Sequence, residues 1–335
     1  MKTLLLWSLA VFVLAGFGEG RLRAADPQGP VLSILEENDL FAGTDRHYTQ
    51  GFEVLFLGAE RLADSPAPAS RLAKALPGLG LNTETVRFGV GIGQKIYTPS
   101  DHRIATVQTN DRPYAGFLHL SALWQRRGET SGGWPLLDHL GIDLGVVGPE
   151  SMAEDAQNRV HSKPLQGWQY QLKSEPGVAV KYARMSRFEA GGSEGWSCHG
   201  IPWAGLSIGS VGTYAASGVE IRAGYNLPKD FGAQTMDSLV PVSGGLTANS
   251  PRWGFYVFGA AEGRAVAYNT FLDGSMFHES PHVTKRPLVA DLRFGCAIVI
   301  NKFVEIGYAQ VFRTKEFSGQ AHVDSFGSVT ASIRW

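Results

Sequence analysis

Alternation of apolar residues with small or polar residues constrains the fold of this chain more than any other feature of its sequence. Over residues 328–335 the odd positions are apolar and end with Trp335, whereas the even positions carry Ser, Thr or Arg. Residues 86–93, 140–146 and 219–225 repeat the alternation. Because side chains of a β-strand point alternately to the two faces of a sheet, the pattern predicts strands with one apolar face.

Residues 1–25 are predicted to be a secretory signal peptide that does not belong to the fold. The basic start Met1-Lys2 is followed by an apolar run over 4–17 and then by small and polar residues. The run is too short to cross a bilayer as a helix, and this order of segments is typical of a signal peptide. Cleavage is expected near Ala24 or Ala25, and the alternative is a buried N-terminal helix.

The remaining residues, 26–335, are predicted to form a transmembrane antiparallel β-barrel of the all-β class. Hydrophobic residues make up 44% and charged residues 18% of the chain, and the charged share lies below the roughly 25% usual for soluble domains. An exported, weakly charged chain with alternating strands fits a barrel with an apolar outer face and small or polar residues in its lumen. A soluble β-sandwich would also alternate, but the export signal and the aromatic end favour the barrel. The net charge of −1 gives no indication of a nucleic-acid partner.

The alternation predicts about twelve strands and one short helix. The predicted spans are 31–37, 48–57, 86–96, 115–126, 138–147, 176–187, 201–211, 215–225, 253–265, 285–300, 303–313 and 325–335. An even number leaves both ends of the barrel on the periplasmic side, so that connections after odd-numbered strands face outward. The connection after the fifth strand is predicted to hold a helix over 150–161, since Pro149 suits a first helical turn and acidic residues follow it.

One sequence string resembles a catalytic motif without the structural context that the motif needs, and two cysteines raise the question of a disulfide. Residues 205–209 fit the GxSxG string of a nucleophilic serine, but that motif requires a strand–turn–helix and here lies in a predicted strand. Cys198 and Cys296 leave a disulfide open. A buried free thiol is the default expectation for Cys296, which lies in an apolar run.

Polar residues distant in sequence are expected to meet at the outer rim. Residues 37–39 end the first strand, 44–49 open the second, and 94–111 join the third to the fourth. Gln157 and His161 lie four apart on the predicted helix and share a face. The convergence is compatible with a site, and also with the polar decoration of an ordinary barrel rim.

These segments closely resemble the outer-membrane lipid A 3'-O-deacylase family, in order over residues 30–180 and more loosely to the end of the chain. The blocks that carry the resemblance are Glu37–Phe41, Thr44–Gly51, Tyr97–Ser100, Asp111–Gly116, Leu144–Pro149, Gln157–His161, Gln166–Trp168 and Gln171–Leu172.

The resemblance implies a twelve-stranded barrel in the bacterial outer membrane, with its active site facing the cell surface. The implied reaction is calcium-dependent hydrolysis of the ester that holds the acyl group at the 3' position of lipid A, the lipid part of lipopolysaccharide. Carried over by motif, the implied site residues are Asn38, Asp39, Thr49, Gln157 and His161, with Asp39 and Asn38 as metal ligands. The connection between Gln157 and Trp168 is shorter than in characterised members and offers no obvious acidic counterpart, so the full set of Ca²⁺ ligands stays open.

Elementary chemistry agrees with those roles. Direct hydrolysis of an ester needs a base that works near neutral pH, for which histidine is suited, and His161 is therefore the expected activator of water. A hard cation held by carboxylate and amide oxygens would polarise the carbonyl group. Thr49 and Gln157 would position groups by hydrogen bonds.

Two other functions remain open from the sequence. The chain is alternatively a non-catalytic barrel, such as a pore or structural protein, or a phospholipase that uses the same residues, since a fold does not imply a function. The sequence leaves the oligomeric state and the preferred acyl chain undetermined.

Overall fold

Fourteen antiparallel strands form most of the regular structure in the computed structural model, which describes residues 28–63, 81–130, 132–160, 164–191, 194–240 and 250–335. In chain order the strands are β1 (Val31–Asn38), β2 (His47–Leu57), β3 (Arg61–Leu62), β4 (Leu81–Thr98), β5 (Ala115–Thr130), β6 (Pro135–Val147), β7 (Glu175–Ser186), β8 (Phe188–Gly191), β9 (Trp196–Ile208), β10 (Gly212–Tyr225), β11 (Trp253–Asn269), β12 (Leu288–Ile300), β13 (Val304–Arg313) and β14 (Asp324–Arg334). Short helices are η1 (Asp39–Ala42), η2 (Pro149–Ser151), α1 (Ala153–Val160), η3 (Trp168–Tyr170) and α2 (Thr270–Asp273). The predicted signal peptide, residues 1–25, lies outside the described residues.

Twelve of these strands close into a barrel, as predicted, and β3 and β8 are short additions to it. Each barrel strand pairs with the next along the chain, and β14 pairs with β1 from Val31 opposite Arg334 to Asn38 opposite Gly327. The even number of strands brings both ends of the sheet to one rim, which we call the terminal rim. The opposite end, where β1 leads into η1, is called the distal rim.

The two faces of the wall carry opposite chemistry. Along β12, Asp291 and Arg293 are buried toward the lumen, whereas Leu292 and Phe294 are 50% and 56% exposed on the outside. A soluble sandwich would turn its apolar side chains inward, so this arrangement excludes that alternative and is typical of a transmembrane barrel. None of the helices in the described parts of the chain is long and apolar enough to span a membrane.

Charged pairs fill the lumen. The Asp291 carboxylate forms ion pairs with Arg264 at 2.6 Å and with Arg313 at 2.8 Å, and all three side chains are buried. Buried charges are tolerated when they are paired and hydrogen-bonded, as they are here.

Three local predictions need correction or comment. The helix predicted over 150–161 starts as η2 and restarts as α1, because Met152 adopts a left-handed conformation (φ 57°) that interrupts it. Cys296 is exposed on the outer face rather than buried, and both cysteines are free thiols. Ser207 of the GxSxG string lies buried in β9 and donates to the carbonyl oxygen of Gly212 at 3.1 Å, as expected of a strand residue.

Candidate functional site

The connection between β1 and β2 brings Asn38 and Asp39 to the distal rim. Asn38 ends β1 in an extended conformation, and its side-chain oxygen accepts a hydrogen bond from the Leu40 N–H at 2.8 Å, which caps η1. Asparagine is favoured at this position because its side chain satisfies one of the free N–H groups of a helix start. Gly43 then adopts φ 71° and ends the helix, which returns the chain toward β2. Asp39 is consequently held in place as the first residue of η1.

The Asp39 carboxylate is buried and half satisfied. Its Oδ2 accepts from the Arg46 backbone N–H at 2.5 Å, whereas its Oδ1 has no hydrogen-bond partner among the described residues. Burial raises the pKa of Asp39 to about 9, against the lowering effect of the Arg46 N–H. A buried carboxylate oxygen without a partner is costly unless a donor or a cation reaches it. The Oδ1 atom is therefore suited to bind a cation.

A β-bulge decides where Thr49 points. The pairing of β2 with β4 shifts register between Tyr48 and Gln50, so that Thr49 is the extra residue. The residues beyond the bulge, Gly51 and Glu53, face the lumen, and strict alternation would place Thr49 there too. A bulge re-aims a side chain, and the Thr49 hydroxyl instead lies 2.7 Å from the Thr98 hydroxyl at the end of β4.

Two hydrogen bonds and one longer ion-pair contact extend from Thr49 along the distal rim. Thr98 Oγ1 lies 2.9 Å from His102 Nε2, and His102 Nδ1 lies 3.6 Å from Asp45 Oδ2. Thr98 is fully buried, so its hydroxyl has these two neighbours to satisfy it. The Thr49 hydroxyl is thereby linked to an imidazole and a carboxylate.

Helix α1 packs on the outside of the wall formed by β4 and β5, next to Thr98. Gly116 of β5 makes this approach possible, because a Cβ there would lie 2.0 Å from Ser151 Oγ and 2.4 Å from Ala153 Cβ. Gln94 of β4 also donates to the carbonyl oxygen of Ser151 at 2.6 Å. The segment that leads into α1 is therefore packed tightly against the wall.

Gln157 lies in the part of α1 that is buried, with 1% of its surface exposed. His161 follows α1 and lies outside the described residues, so its predicted position stays a prediction. The structure thus joins Asp39 and Thr49 through the short segment 44–46 and places Gln157 on the helix that packs against the neighbouring wall. Sequence reasoning singled out the block that contains Thr98 but gave Thr98 no role.

The basic residues of the rim differ in availability. Arg112 is fully buried, pairs with Glu316 at 3.2 Å and stacks over the Tyr97 ring at 4.5 Å. It is therefore a structural residue. Arg103 has 89% of its side chain exposed and pairs with Asp101 at 2.8 Å.

His47 ties three connections of the distal rim together. Its Nδ1 lies 2.7 Å from Asp324 Oδ1, and its Nε2 lies 3.1 Å from Asp111 Oδ1 and 2.9 Å from Ser100 Oγ. Burial alone would raise the pKa of Asp111, but the bonds from His47 and Ser100 lower it to about 2. The carboxylate of Asp111 is charged at neutral pH and holds the β4–β5 connection in place.

No cluster of three or more His, Cys, Asp or Glu side chains arranged to hold a metal occurs within the described part of the chain. Calcium also binds amide and carbonyl oxygens. The free Oδ1 of Asp39 and the neighbouring Asn38 carbonyl group provide oxygens of that kind. These residues fit part of a calcium site.

Comparison with known proteins follows the same lines. A family model described as outer membrane protein LpxR matches residues 5–335. Curated protein sequences gave no match. The solved structure of LpxR from Salmonella typhimurium superposes with a TM-score of 0.73 at 20% identity and covers 91% of this chain and 100% of its own.

Two further solved barrels match more weakly. The β-domain of the Bordetella autotransporter BrkA has a TM-score of 0.44 at 10% identity, with 92% of this chain and 99% of that chain covered. The translocator domain of the autotransporter NalP from Neisseria meningitidis has a TM-score of 0.40 at 9% identity, with 92% and 89% covered. The Salmonella structure is therefore the comparison that bears on the fold.

Proposed function

The chain belongs to the LpxR family of outer membrane proteins, and we propose that it hydrolyses the ester bond of the 3' acyl group of lipid A. The protein is a β-barrel of the outer membrane. The single observation that carries the proposed chemistry is the buried Asp39 Oδ1 atom, which has no hydrogen-bond partner among the described residues. Lipid A lies in the outer leaflet, so the proposal places the distal rim at the cell surface.

In the proposed reaction His161 takes a proton from water as the water attacks the ester carbonyl. Imidazole is suited to this step because its ordinary pKa lies close to neutral pH. The C–O bond to the sugar then breaks, and the sugar oxygen takes the proton from His161 to become a free hydroxyl. The acyl group is released as a carboxylic acid, which loses its proton to solvent at neutral pH. Two groups would orient the substrate by hydrogen bonds. One is the Thr49 hydroxyl, which is hydrogen-bonded to Thr98 and through it to His102, and the other is Gln157 on α1.

Asp39 and Asn38 are the residues proposed to hold Ca²⁺. A bound Ca²⁺ would stabilise the negative charge that develops on the carbonyl oxygen. Burial disfavours the charged form of Asp39, as its raised pKa indicates, and a cation next to Oδ1 would reverse that preference. A cation bound at Oδ1 would therefore keep Asp39 in its charged, carboxylate form.

Mass spectrometry of lipid A after incubation with the purified, folded protein tests the proposal. Calcium is present in one sample and replaced by a chelator in the other. Loss of the 3' acyl group with calcium alone supports the proposal. Unchanged lipid A with fatty acid released from added phospholipid indicates the phospholipase, and no change in either lipid indicates a non-catalytic barrel.

Asp39→Asn isolates the role of the carboxylate, because it keeps the shape of the side chain and removes the charge. We expect the rate to fall on the order of 100-fold, as when a group that stabilises developing charge is lost. Asp101→Asn is the matched control, since Asp101 lies on the same rim and pairs with exposed Arg103. Full activity of Asp39→Asn would contradict the assignment of Asp39 to a cation.

A further inference from the structure

Residues 226–240, the first part of the connection between β10 and β11, lie inside the barrel. They include Asp230, Phe231 and Leu239, which are 2%, 1% and 2% exposed. We propose that residues 228–240, called the plug, close the lumen and make this protein a barrel that does not conduct ions.

The plug enters beside the terminal rim. Arg222, three residues before the end of β10, forms an ion pair with Asp230 and donates to the carbonyl oxygen of Pro228 at 2.8 Å. Arg187 donates to the carbonyl oxygen of Lys229 at 2.6 Å. Both arginine side chains are buried away from water. Their guanidinium groups therefore depend on the Asp230 carboxylate and on backbone carbonyl groups of the plug for hydrogen bonds.

The far end of the plug lies in the distal half of the barrel. Asp237 pairs with Lys95 at 2.8 Å, and Lys95 lies three residues before the distal end of β4. The same carboxylate contacts Arg313 at 2.7 Å and Arg264 at 3.4 Å. Since Asp230 and Asp237 meet opposite halves of the wall, the plug runs along most of the height of the lumen.

The plug also contacts the wall all the way around. Its hydrogen bonds reach Glu37 of β1, Glu53 of β2, Lys95 of β4, Glu220 of β10, Glu262 of β11 and Arg293 of β12. On the remaining side, Phe231, Leu239 and Val240 pack against residues of β6, β7 and β9, namely Leu137, Ala183, Met185, Ile201 and Trp203. A segment with partners on every side crosses the lumen rather than lining one wall.

Small cavities remain beside the plug. Three of them have volumes of about 40, 70 and 40 Å³ and are lined in part by Gln234, Asp237 and Met236, respectively. Cavities of this size hold a few water molecules. They do not form the wide aqueous channel of larger barrels.

The plug further supports β1, which ends at Asn38 and is followed directly by Asp39. The Met236 N–H donates to Glu37 Oε1 at 3.0 Å, and the Tyr48 hydroxyl donates to Glu37 Oε2 at 2.7 Å. Glu37 is fully buried and directly precedes Asn38. Closure of the lumen and support of the distal rim therefore involve the same segment.

Conductance across a planar lipid bilayer tests the plug without reference to any enzymatic activity. The folded wild-type protein is expected to be electrically silent, and a variant with residues 229–239 replaced by a short Gly-Ser linker is expected to give discrete conductance steps. Asp101→Asn is the control and should stay silent. Steady conductance of the wild type, or silence of a folded linker variant, overturns the proposal.

Thiol labelling decides the question if the linker variant does not fold. Ser238→Cys and Lys229→Cys are each made with Cys198 and Cys296 changed to serine, because Ser238 is buried and Lys229 is exposed. A water-soluble maleimide should label the thiol at position 229 readily and spare the thiol at 238. Equal labelling of both positions in the folded protein would show an open lumen and reject the plug.

Discussion

Gly116 offers the sharpest test of how the packing of α1 on the wall affects the site. A Cβ at this position would lie 2.0 Å from Ser151 Oγ, whereas ordinary van der Waals contact begins at 3.4 Å. In Gly116→Ala, the segment that carries Ser151 and Ala153 must therefore retreat by about 1.4 Å, the difference between these distances. Overpacking of this kind costs about 1–3 kcal/mol.

The retreat should affect activity more than folding. A misplacement of about 1 Å at an active site can lower a rate roughly 100-fold, and α1 carries Gln157. The barrel itself should remain closed, because Gly116 lies near one end of β5. We therefore expect Gly116→Ala to lose about two orders of magnitude in the rate of lipid A deacylation while its heat-modifiable electrophoretic mobility is unchanged.

Gly263→Ala is the matched control for this substitution. Gly263 also lies in a barrel strand, but a Cβ there meets no atom within 4 Å. Its deacylation rate, measured by mass spectrometry on the same lipid A, should equal that of the wild type. Equal rates for Gly116→Ala and Gly263→Ala would refute the argument that the contact between α1 and the wall shapes the site.

Two further predictions concern the distal rim. Thr98→Val removes the hydrogen bonds to Thr49 and His102 and should lower the deacylation rate about tenfold, equivalent to about 1.4 kcal/mol. Thr98→Ser keeps the hydroxyl and should have the wild-type deacylation rate and the wild-type pH profile of that rate. Equal rates for Thr98→Val and Thr98→Ser would show that the hydroxyl does not contribute. The pKa of Asp111 is lowered from 3.8 to about 2, so its contribution to stability is full above pH 3.8 and is lost as the pH falls through 2. Proteolysis of the β4–β5 connection should therefore increase over that window in the wild type, whereas Asp111→Asn should be susceptible at every pH; a wild type that stays resistant down to pH 2 would contradict this.

The strands and their facing directions follow from local sequence. Alternation with a period of two is a property of each strand by itself, and it predicted the strands and their two chemically different faces. The export signal and the aromatic end of the chain favoured the barrel with its apolar face outward. An even number of strands places both ends at one rim, so the convergence of the segments around Asp39 and Thr49 on the distal rim was also predictable. The predicted helix start was wrong because the left-handed conformation of Met152 (φ 57°), which is uncommon for a residue other than glycine, separates η2 from α1.

The details of the candidate site required the tertiary structure. The bulge at Thr49 arises from the pairing of β2 with β4, which are separated by a long connection. The burial that raises the pKa of Asp39 likewise depends on neighbours from other segments. Neither the bulge nor the burial of Asp39 can be predicted from residues that are neighbours in sequence, because both result from contacts between distant parts of the chain.

The sequence alone determined that this chain forms strands with one apolar face, since the period of a strand is written into neighbouring residues. The export signal and the aromatic end then favoured a membrane barrel over a sandwich. Only the tertiary structure decided what occupies the lumen. In the sequence, residues 226–240 belong only to the connection between the strands predicted at 215–225 and 253–265. The attraction of Asp237 for Lys95, Arg264 and Arg313 exists only once three separate strands bring those cations together. Electrostatic attraction between groups far apart in sequence, in a space from which water is largely excluded, draws this segment inside.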